Sequence, residues 1–264
     1  MNAFSKRAYR GINAIVLGFA RYSDPRWATF SQIKQHGGNV KRGEKSTPIV
    51  FWAFVDAEDN KTGEKKRVPF LKYFSVFNVE QTEGLSLKPI ADLIRCDHSP
   101  IEAAEAIVKG YVSGPKIEYG HSAAWYRPST DTVGMPNKEK FDSLESFYAV
   151  SFHELAHSSG HASRLNRPEL MNSTHFGSGD YSKEELTAEF TAYFLCNAAG
   201  IANTSLEKNT TAYLQNWISV LRGDIKMAVQ AAGKAQQAAN YILGIKQEDA
   251  EEPSEVAVVD AIAA

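Results

Sequence analysis

Two histidines four residues apart, His153 and His157, enclose Glu154 in a His-Glu-Leu-Ala-His run. On a helix, residues four apart share a face, so the two imidazoles converge on one point. Two nitrogen ligands that meet in this way suit a tetrahedral Zn²⁺ ion, and the adjacent carboxylate suits the general base of a metalloprotease. The spacing therefore predicts a metal site with both histidines as ligands and Glu154 as the catalytic residue.

The third metal ligand is expected to be a carboxylate from residues 182–195. Glu185 and Glu189 share a helix face there, and two carboxylates on one face repel unless a positive group lies between them. We assign Glu185 to the metal and Glu189 to the outer N–H of a ligand histidine, since carboxylates behind the ligands orient them. The reverse assignment is the alternative, and Glu184 is expected to point into solvent.

Two other histidines compete for the third position. His161 is four residues past His157, but Gly160 is expected to end the helix before it. A three-histidine pattern would need a histidine at position 163, where Ser163 stands. His175 lies in a polar loop and is interpreted as a substrate-side or surface residue. A site of two imidazoles and one carboxylate accepts Mn²⁺ as well as Zn²⁺.

Two helices must hold these ligands. The motif helix carries an apolar face, and a capping box of Asp142 and Glu145 is predicted at its start. A second capping box, formed by Ser182 and Glu185, is predicted to open the carboxylate helix. The polar segment 162–181 between the two helices is long enough to be a lid. Three short strands ahead of the motif, at 116–119, 123–127 and 132–135, predict a sheet with an edge strand beside the metal.

The N-terminal part of the chain is basic and rich in aromatic residues. Residues 1–72 carry 14 Lys and Arg against 6 Asp and Glu, whereas residues 111–264 carry 12 against 19. Single-stranded nucleic acid is bound by this combination, because cations follow the phosphates and rings stack on the bases. The alternative, which is favoured for any single aromatic residue, is that the rings form the core. The residues expected to contact nucleic acid are Arg7, Tyr9, Arg10, Trp27, Lys41, Arg42, Lys45, Lys66 and Arg67.

The chain is expected to form two domains and a tail. Residues 48–55 and 68–79 read as two long strands around a turn, preceded by two short helices. A capped helix follows at 99–112, and Gly114-Pro115 breaks the chain after it. We expect domains at 1–114 and 115–247 and a disordered acidic tail at 248–264, with residues 90–112 able to belong to either domain.

Composition restricts the cellular location. No apolar run is long enough to span a bilayer, and the N-terminus has no signal-peptide pattern. Cys96 and Cys196 make no disulfide framework and are expected to be buried thiols in a reducing cytoplasm. We therefore expect a cytoplasmic protein that does not contact a membrane.

Several segments resemble ArdC-type antirestriction proteins of conjugative plasmids. The segments at Tyr9–Asn13, around Trp27 and at 38–45 (GNVKRGEK) are similar to the single-stranded-DNA-binding domain of that family, and His153–Arg167 with the run from Glu185 is similar to its metallopeptidase-type domain. The resemblance implies an α+β fold, with an N-terminal mixed α/β domain that binds single-stranded DNA and a C-terminal zincin-like metalloprotease domain. It also implies that His153, His157 and Glu185 bind a divalent metal, with Glu154 as the base.

Three functions remain open at this point. The first is an antirestriction protein that binds single-stranded DNA non-specifically and protects incoming plasmid DNA, with a host restriction enzyme or another protein as a further partner. The second is a metallopeptidase that acts on a protein substrate and has no DNA role. The third is a DNA-binding protein with a structural metal.

Overall fold

A computed structural model describes residues 1–20, 22–58, 65–89, 99–171, 179–201 and 225–246. The chain divides into two compact units, Met1–Arg95 and Cys96–Ala263. The expected tail and the turn at 59–64 lie outside the described residues. Within those residues, no helix is both long and apolar enough to cross a membrane.

The first unit is built on a three-stranded antiparallel sheet. Its order is β1 (Trp27–Thr29), β4 (Lys65–Asn78) and β3 (Thr47–Glu58). The pairing runs from Thr47 opposite Val76 to Glu58 opposite Lys65, so the long hairpin predicted from the two β-prone runs is present. A separate antiparallel pair joins β2 (Asn39–Val40) to β5 (Thr82–Glu83).

Helices α1 (Ile12–Phe19) and α2 (Phe30–Gln35) cover opposite faces of this sheet. Leu17 packs with Trp27, while Ile33 packs with Ala28. Because consecutive strand residues point to opposite faces, these two clusters lie on the two sides of β1. Thr29 ends β1 and is the N-cap of α2, where it forms a reciprocal capping box with Gln32. The chain therefore passes directly from β1 into α2.

Asn13 joins α1 to the outer strand of the sheet. Its side-chain amide donates to the carbonyl of Val50 and accepts from the amide of Val50, both at 2.7 Å. The side chain thus completes two backbone hydrogen bonds that a further strand would otherwise make, and it blunts the edge of β3.

The second unit contains α3 (Pro100–Gly110), which lies within the segment that sequence reasoning left open between the two domains. Ser99 and Glu102 form its predicted capping box. The helix packs on the motif helix, and Glu105 accepts a hydrogen bond from Tyr148 there at 2.9 Å. The buried face of α3 thus belongs to the second core, which is one of the two placements left open for residues 90–112.

A mixed sheet follows, with the order β6 (Lys116–Tyr119), β8 (Thr132–Met135) and β7 (Trp125–Arg127). Strand β6 runs parallel to β8, and β7 runs antiparallel to it. Strand β7 is thus an edge strand of this sheet, and it contacts the motif helix.

Among the described residues, the helical layer consists of α4 (Leu144–Ser159), α5 (Pro168–Met171), α6 (Gly179–Ala199) and α7 (Ile225–Ile242). Phe152, Leu155, Leu186 and Leu195 fill the interior between them. Helix α7 presents a buried row of alanines to α6, so the two helices approach closely. Cys196 is a buried free thiol in this core, as predicted, and Cys96 lies outside the described residues.

Both predicted capping boxes of the site helices are wrong. The N-cap of α4 is Ser143, whose hydroxyl accepts from the Ser146 amide at 3.1 Å, so the helix starts one residue later than a cap at Asp142 would place it. Helix α6 starts at Gly179, which puts Ser182 inside the helix. A cap pattern alone does not show how far a helix extends towards its N-terminus.

Candidate metal centre

Helices α4 and α6 bring His153, His157 and Glu185 together. One potential ligand atom from each residue lies within 4.8 Å of the other two. The two Nε2 atoms are 3.1 Å apart, and each lies 3.5 Å from an oxygen of Glu185. The α4 spacing supplies the two imidazoles from one face, and the packing of α6 on α4 supplies the carboxylate.

The donor set and its charge fit a divalent cation. Two imidazole nitrogens and one carboxylate leave room for a further ligand, as in catalytic zinc sites. Burial opposes a charge on His153, but Glu185, Glu189 and Glu154 outweigh burial and raise the pKa of His153 to about 9. The surrounding carboxylates therefore favour positive charge at this point.

Glu154 lies next to the triad without joining it. The residue is 9% exposed, and burial raises the pKa of its carboxyl group, although His153 and His157 oppose the rise. A carboxyl group held beside two imidazoles in a closed setting has the position of a general base. The catalytic role of Glu154 stays a prediction.

Two glutamates stand behind the histidines. Glu189 lies 3.5 Å from Nδ1 of His153, which is the outer nitrogen of that ring. This is the place expected for a carboxylate that orients a ligand histidine through its outer N–H. The expectation that Glu184 is solvated is wrong, because it is 3% exposed and its Oε1 lies 3.1 Å from Nδ1 of His157. Burial alone would raise the pKa of Glu184, but hydrogen bonds from Arg167 and His157 hold it below its usual value.

Arg167 was missed because no regular spacing relates it to either helix. It follows α4 in an irregular segment, and its guanidinium donates to Glu184 and to the last turn of α4. The only sequence signal for it was its place in the segment that resembles the metallopeptidase-type domain.

Of the two competing histidines, His161 is described by the structure and does not join this group. Nδ1 of His161 lies 2.8 Å from the Ser163 hydroxyl, past the C-cap at Gly160. His175 lies outside the described residues. On the edge strand, Tyr126 donates its hydroxyl to Asp131 at 2.9 Å and Trp125 packs against Gly134, so both aromatic residues have structural contacts.

The expected nucleic-acid residues of the first unit separate into exposed and buried sets. Trp27 is 3% exposed and packs edge-on against Tyr22, so the expectation that it contacts DNA is wrong. Tyr9 packs partly buried against the same cluster. Lys66 and Arg67 lie in β4, where the structure describes the strand but not their side chains. The exposed members are Arg7, Arg10, Lys41, Arg42 and Lys45.

Two rings of the first unit that are more than half exposed were not among the expected contacts. Phe30 is 51% exposed with Lys34 placed over its ring, and Tyr73 is 53% exposed. Strand alternation could have predicted the exposure of Tyr73, since Val76 is buried on the opposite face of β4. Phe30 is the first residue of α2, directly after the N-cap Thr29, and no periodic pattern predicts the exposure of a residue at that position.

Each of the two units matches a known protein family. Residues 1–77 match the N-terminal domain of anti-restriction factor ArdC, and residues 102–234 match a zincin-like metallopeptidase. Fold and site thus define a protein with an ArdC-type N-terminal domain followed by a zincin-like domain. The chain is 32% identical to the metal-free crystal structure of antirestriction protein ArdC from plasmid R388, with a TM-score of 0.67 over 90% of this chain and 85% of that one.

The Mn(II)-bound structure of the same R388 protein is 30% identical, with a TM-score of 0.64 over 91% of this chain and 86% of that one. The uncharacterized protein y4eC of Sinorhizobium fredii (strain NBRC 101917 / NGR234) is 32% identical over 95% of this chain and 82% of its own length. Two Escherichia coli DNA primases named TraC are 36% and 34% identical over 96% of this chain. The chain spans only 24% and 18% of their lengths. The chain belongs to the ArdC antirestriction family.

Proposed function

We propose that this protein binds single-stranded DNA non-specifically and protects incoming plasmid DNA from restriction in the bacterial cytoplasm, with a metal-dependent peptidase-like site. The observation that carries the proposal is the His153, His157 and Glu185 triad in a chain whose first 77 residues match the ArdC N-terminal domain. A host restriction enzyme or another protein is the proposed substrate of the triad. The Mn(II) bound by the R388 relative supports a divalent metal here, and Zn²⁺ is the other candidate.

Exposed cations of the first unit support the DNA role. Lys41, Arg42 and Lys45 lie around the turn after β2, and the exposed rings of Phe30 and Tyr73 belong to the same unit. Cations that follow phosphates bind without reading sequence, and each stacked base adds about 1–3 kcal/mol.

The triad supports hydrolysis of an amide bond. A divalent cation bound there supplies Lewis-acid polarisation of a carbonyl group and makes water a stronger acid. His153, His157 and Glu185 would hold the cation through two imidazoles and one carboxylate. Glu154 takes the proton of the attacking water and returns it to the leaving amine.

The first test is titration of the purified protein with a fluorescent single-stranded oligonucleotide. Binding is measured at about 50 mM and about 200 mM salt, with a matched duplex alongside. We expect tight binding to the single strand, weak dependence on sequence, and a marked loss of affinity at the higher salt concentration.

Paired variants locate the contact. Replacement of Arg42 and Lys45 by alanine should lower affinity and reduce the salt slope by about 0.7 for each lost phosphate contact. Alanine at Lys109 and Lys140, two exposed cations of the second unit, serves as the matched control and should leave both unchanged.

A metallopeptidase without a DNA role is the second candidate, and the buried Glu154 beside the triad favours it. Absence of salt-sensitive binding to any single strand would contradict the DNA proposal and leave this candidate.

A further inference from the structure

Arg167 and Glu184 form a buried ion pair behind the triad. They are 4% and 3% exposed. The guanidinium Nε donates to Oε2 of Glu184 at 2.9 Å, and Nη2 donates to Oε1 at 2.6 Å. Two such bonds fix both oxygens of a carboxylate in one orientation. The same Oε1 lies 3.1 Å from Nδ1 of His157, so one oxygen serves both the arginine and the histidine.

The guanidinium is itself anchored to the end of the motif helix. It donates to the hydroxyl of Ser159 at 2.7 Å and to the carbonyl of Ala156 at 2.8 Å. The last carbonyls of a helix have no partner within the helix, and a positive charge is favourable at this end. Arg167 thus ties the carboxylate from α6 to the turn of α4 that carries His157.

We propose that Arg167 and Glu184 are positioning residues that fix His157 as a metal ligand. Glu184 accepts the Nδ1–H of His157, which leaves the Nε2 lone pair directed at His153 and Glu185. Arg167 neutralises Glu184 and keeps it from turning towards the metal. The inference rests on the proposed metal centre and adds a function for two residues outside the ligand set.

Another ion pair at the same helix end shows what a purely structural pair looks like. Arg164, whose side chain is 3% exposed, pairs with Asp131 and donates to the carbonyl of Ser158 at 2.8 Å. The carboxylate of Asp131 accepts from Arg164 and Tyr126 and not from a ligand histidine. The two pairs share a helix end and differ in whether they hold a ligand.

Gly160 provides a way to move Arg167 without changing any charge. Its φ is −82°, which any residue can adopt, so the backbone does not require glycine. A Cβ at this position would lie 2.8 Å from Cζ and from Nη2 of Arg167. Gly160→Ala therefore displaces the guanidinium while Glu184 and His157 remain.

The test is the affinity of the metal-free protein for Zn²⁺, measured by competition with a chromophoric chelator. Glu184→Gln and Gly160→Ala should each weaken binding by about 10–100-fold, the usual cost of losing a group that orients a ligand. The visible absorption of the Co²⁺-loaded protein should change in both, because the geometry of the histidine ligand changes. Asp131→Asn is the matched control, which should lower the unfolding temperature without changing affinity or spectrum.

The outcomes separate the two proposals. A wild-type protein that binds no metal overturns the metal centre itself. Wild-type affinity and spectrum in Glu184→Gln and Gly160→Ala overturn the positioning role alone, and so does equal weakening by Asp131→Asn. If Glu184→Gln yields no folded protein, Gly160→Ala decides.

Discussion

The carboxylate of Glu154 shares its nearly closed setting with two imidazoles and two further carboxylates, Glu185 and Glu189. Glutamine has the same shape, so Glu154→Gln should preserve the fold and the affinity for metal. It should lower hydrolysis by about 10²–10⁴-fold, since an amide cannot accept the proton. Plasmid transfer into a restricting host measures protection, and bound metal and DNA affinity serve as controls. Full protection by this variant would make the metal structural.

Asp24 gives a pH prediction in the first unit. Burial alone would raise the pKa of Asp24, but hydrogen bonds and charge from Arg26 hold it below its usual value. A lowered pKa in the folded state contributes stability above the ordinary aspartate value of about 3.9, and this contribution is lost as pH falls through the folded value. Asp24→Asn should therefore cost about 3 kcal/mol near neutral pH, because Arg26 loses its buried partner.

Urea unfolding of wild type and Asp24→Asn at several pH values measures this difference. The gap in unfolding free energy should be constant from neutral pH down to about 5 and should narrow below about 4. A gap that widens as the pH falls would contradict the assignment of Asp24 as the charged partner.

At the scale of elements, β7 and β8 both contact the motif helix, and the ring of Trp125 on β7 packs against Gly134 on β8. A Cβ on Gly134 would lie 2.3 Å from the Trp125 ring. Gly134→Ala should therefore force Trp125 away from β8 and destabilise the protein by about 1–3 kcal/mol, as overpacking of a core does. Denaturant unfolding followed by far-UV circular dichroism measures the change.

Gly233→Ala in α7 is the matched control for this prediction. A Cβ there meets nothing within 4 Å, and alanine is the better helix former, so this variant should stabilise the protein by about 0.5–1 kcal/mol. Equal effects of the two substitutions on the free energy of unfolding would show that the Trp125 ring moves aside without loss of stability.

Sequence patterns predicted the elements well where periodicity was strong. The β3–β4 hairpin, α3 and the motif helix follow from alternation, a capping box and an apolar helical face. The N-terminal ends of α4 and α6 were not predicted correctly. Ser143 caps α4, and α6 begins three residues ahead of Ser182. Cap residues are common in the sequence, and tertiary contacts decide which one is used.

For the site, local spacing was sufficient to predict contacts between residues on one helix. It was insufficient to predict contacts between residues of different elements. His153 and His157 are neighbours on α4, so their convergence was predictable. Glu184 was placed in solvent because its neighbour Glu185 faces the histidines, yet the approach of Arg167 gives it a buried partner. Such a contact depends on how an irregular segment packs, which no periodic pattern encodes.

At the scale of the whole molecule, the proposed metal belongs to one unit and the proposed DNA contacts to the other. A ligand that binds only the folded state stabilises it by RT ln(1 + [L]/Kd), which is about 2.7 kcal/mol at one hundred times Kd. Removal of metal should therefore weaken the unit that holds α4 and α6. Its effect on the first unit is expected to be small, because the ligands all lie beyond residue 96.

Hydrogen exchange measured by mass spectrometry tests this division along the chain. Chelation of the metal should increase amide exchange within Leu144–Ser159 and Gly179–Ala199, since these helices share the ligands. Peptides from β3 and β4 should exchange at the same rate with and without metal. The variant His153→Ala is the control, and its exchange pattern should not respond to chelation. A metal-dependent change confined to the first unit would contradict the assignment of the metal to this triad.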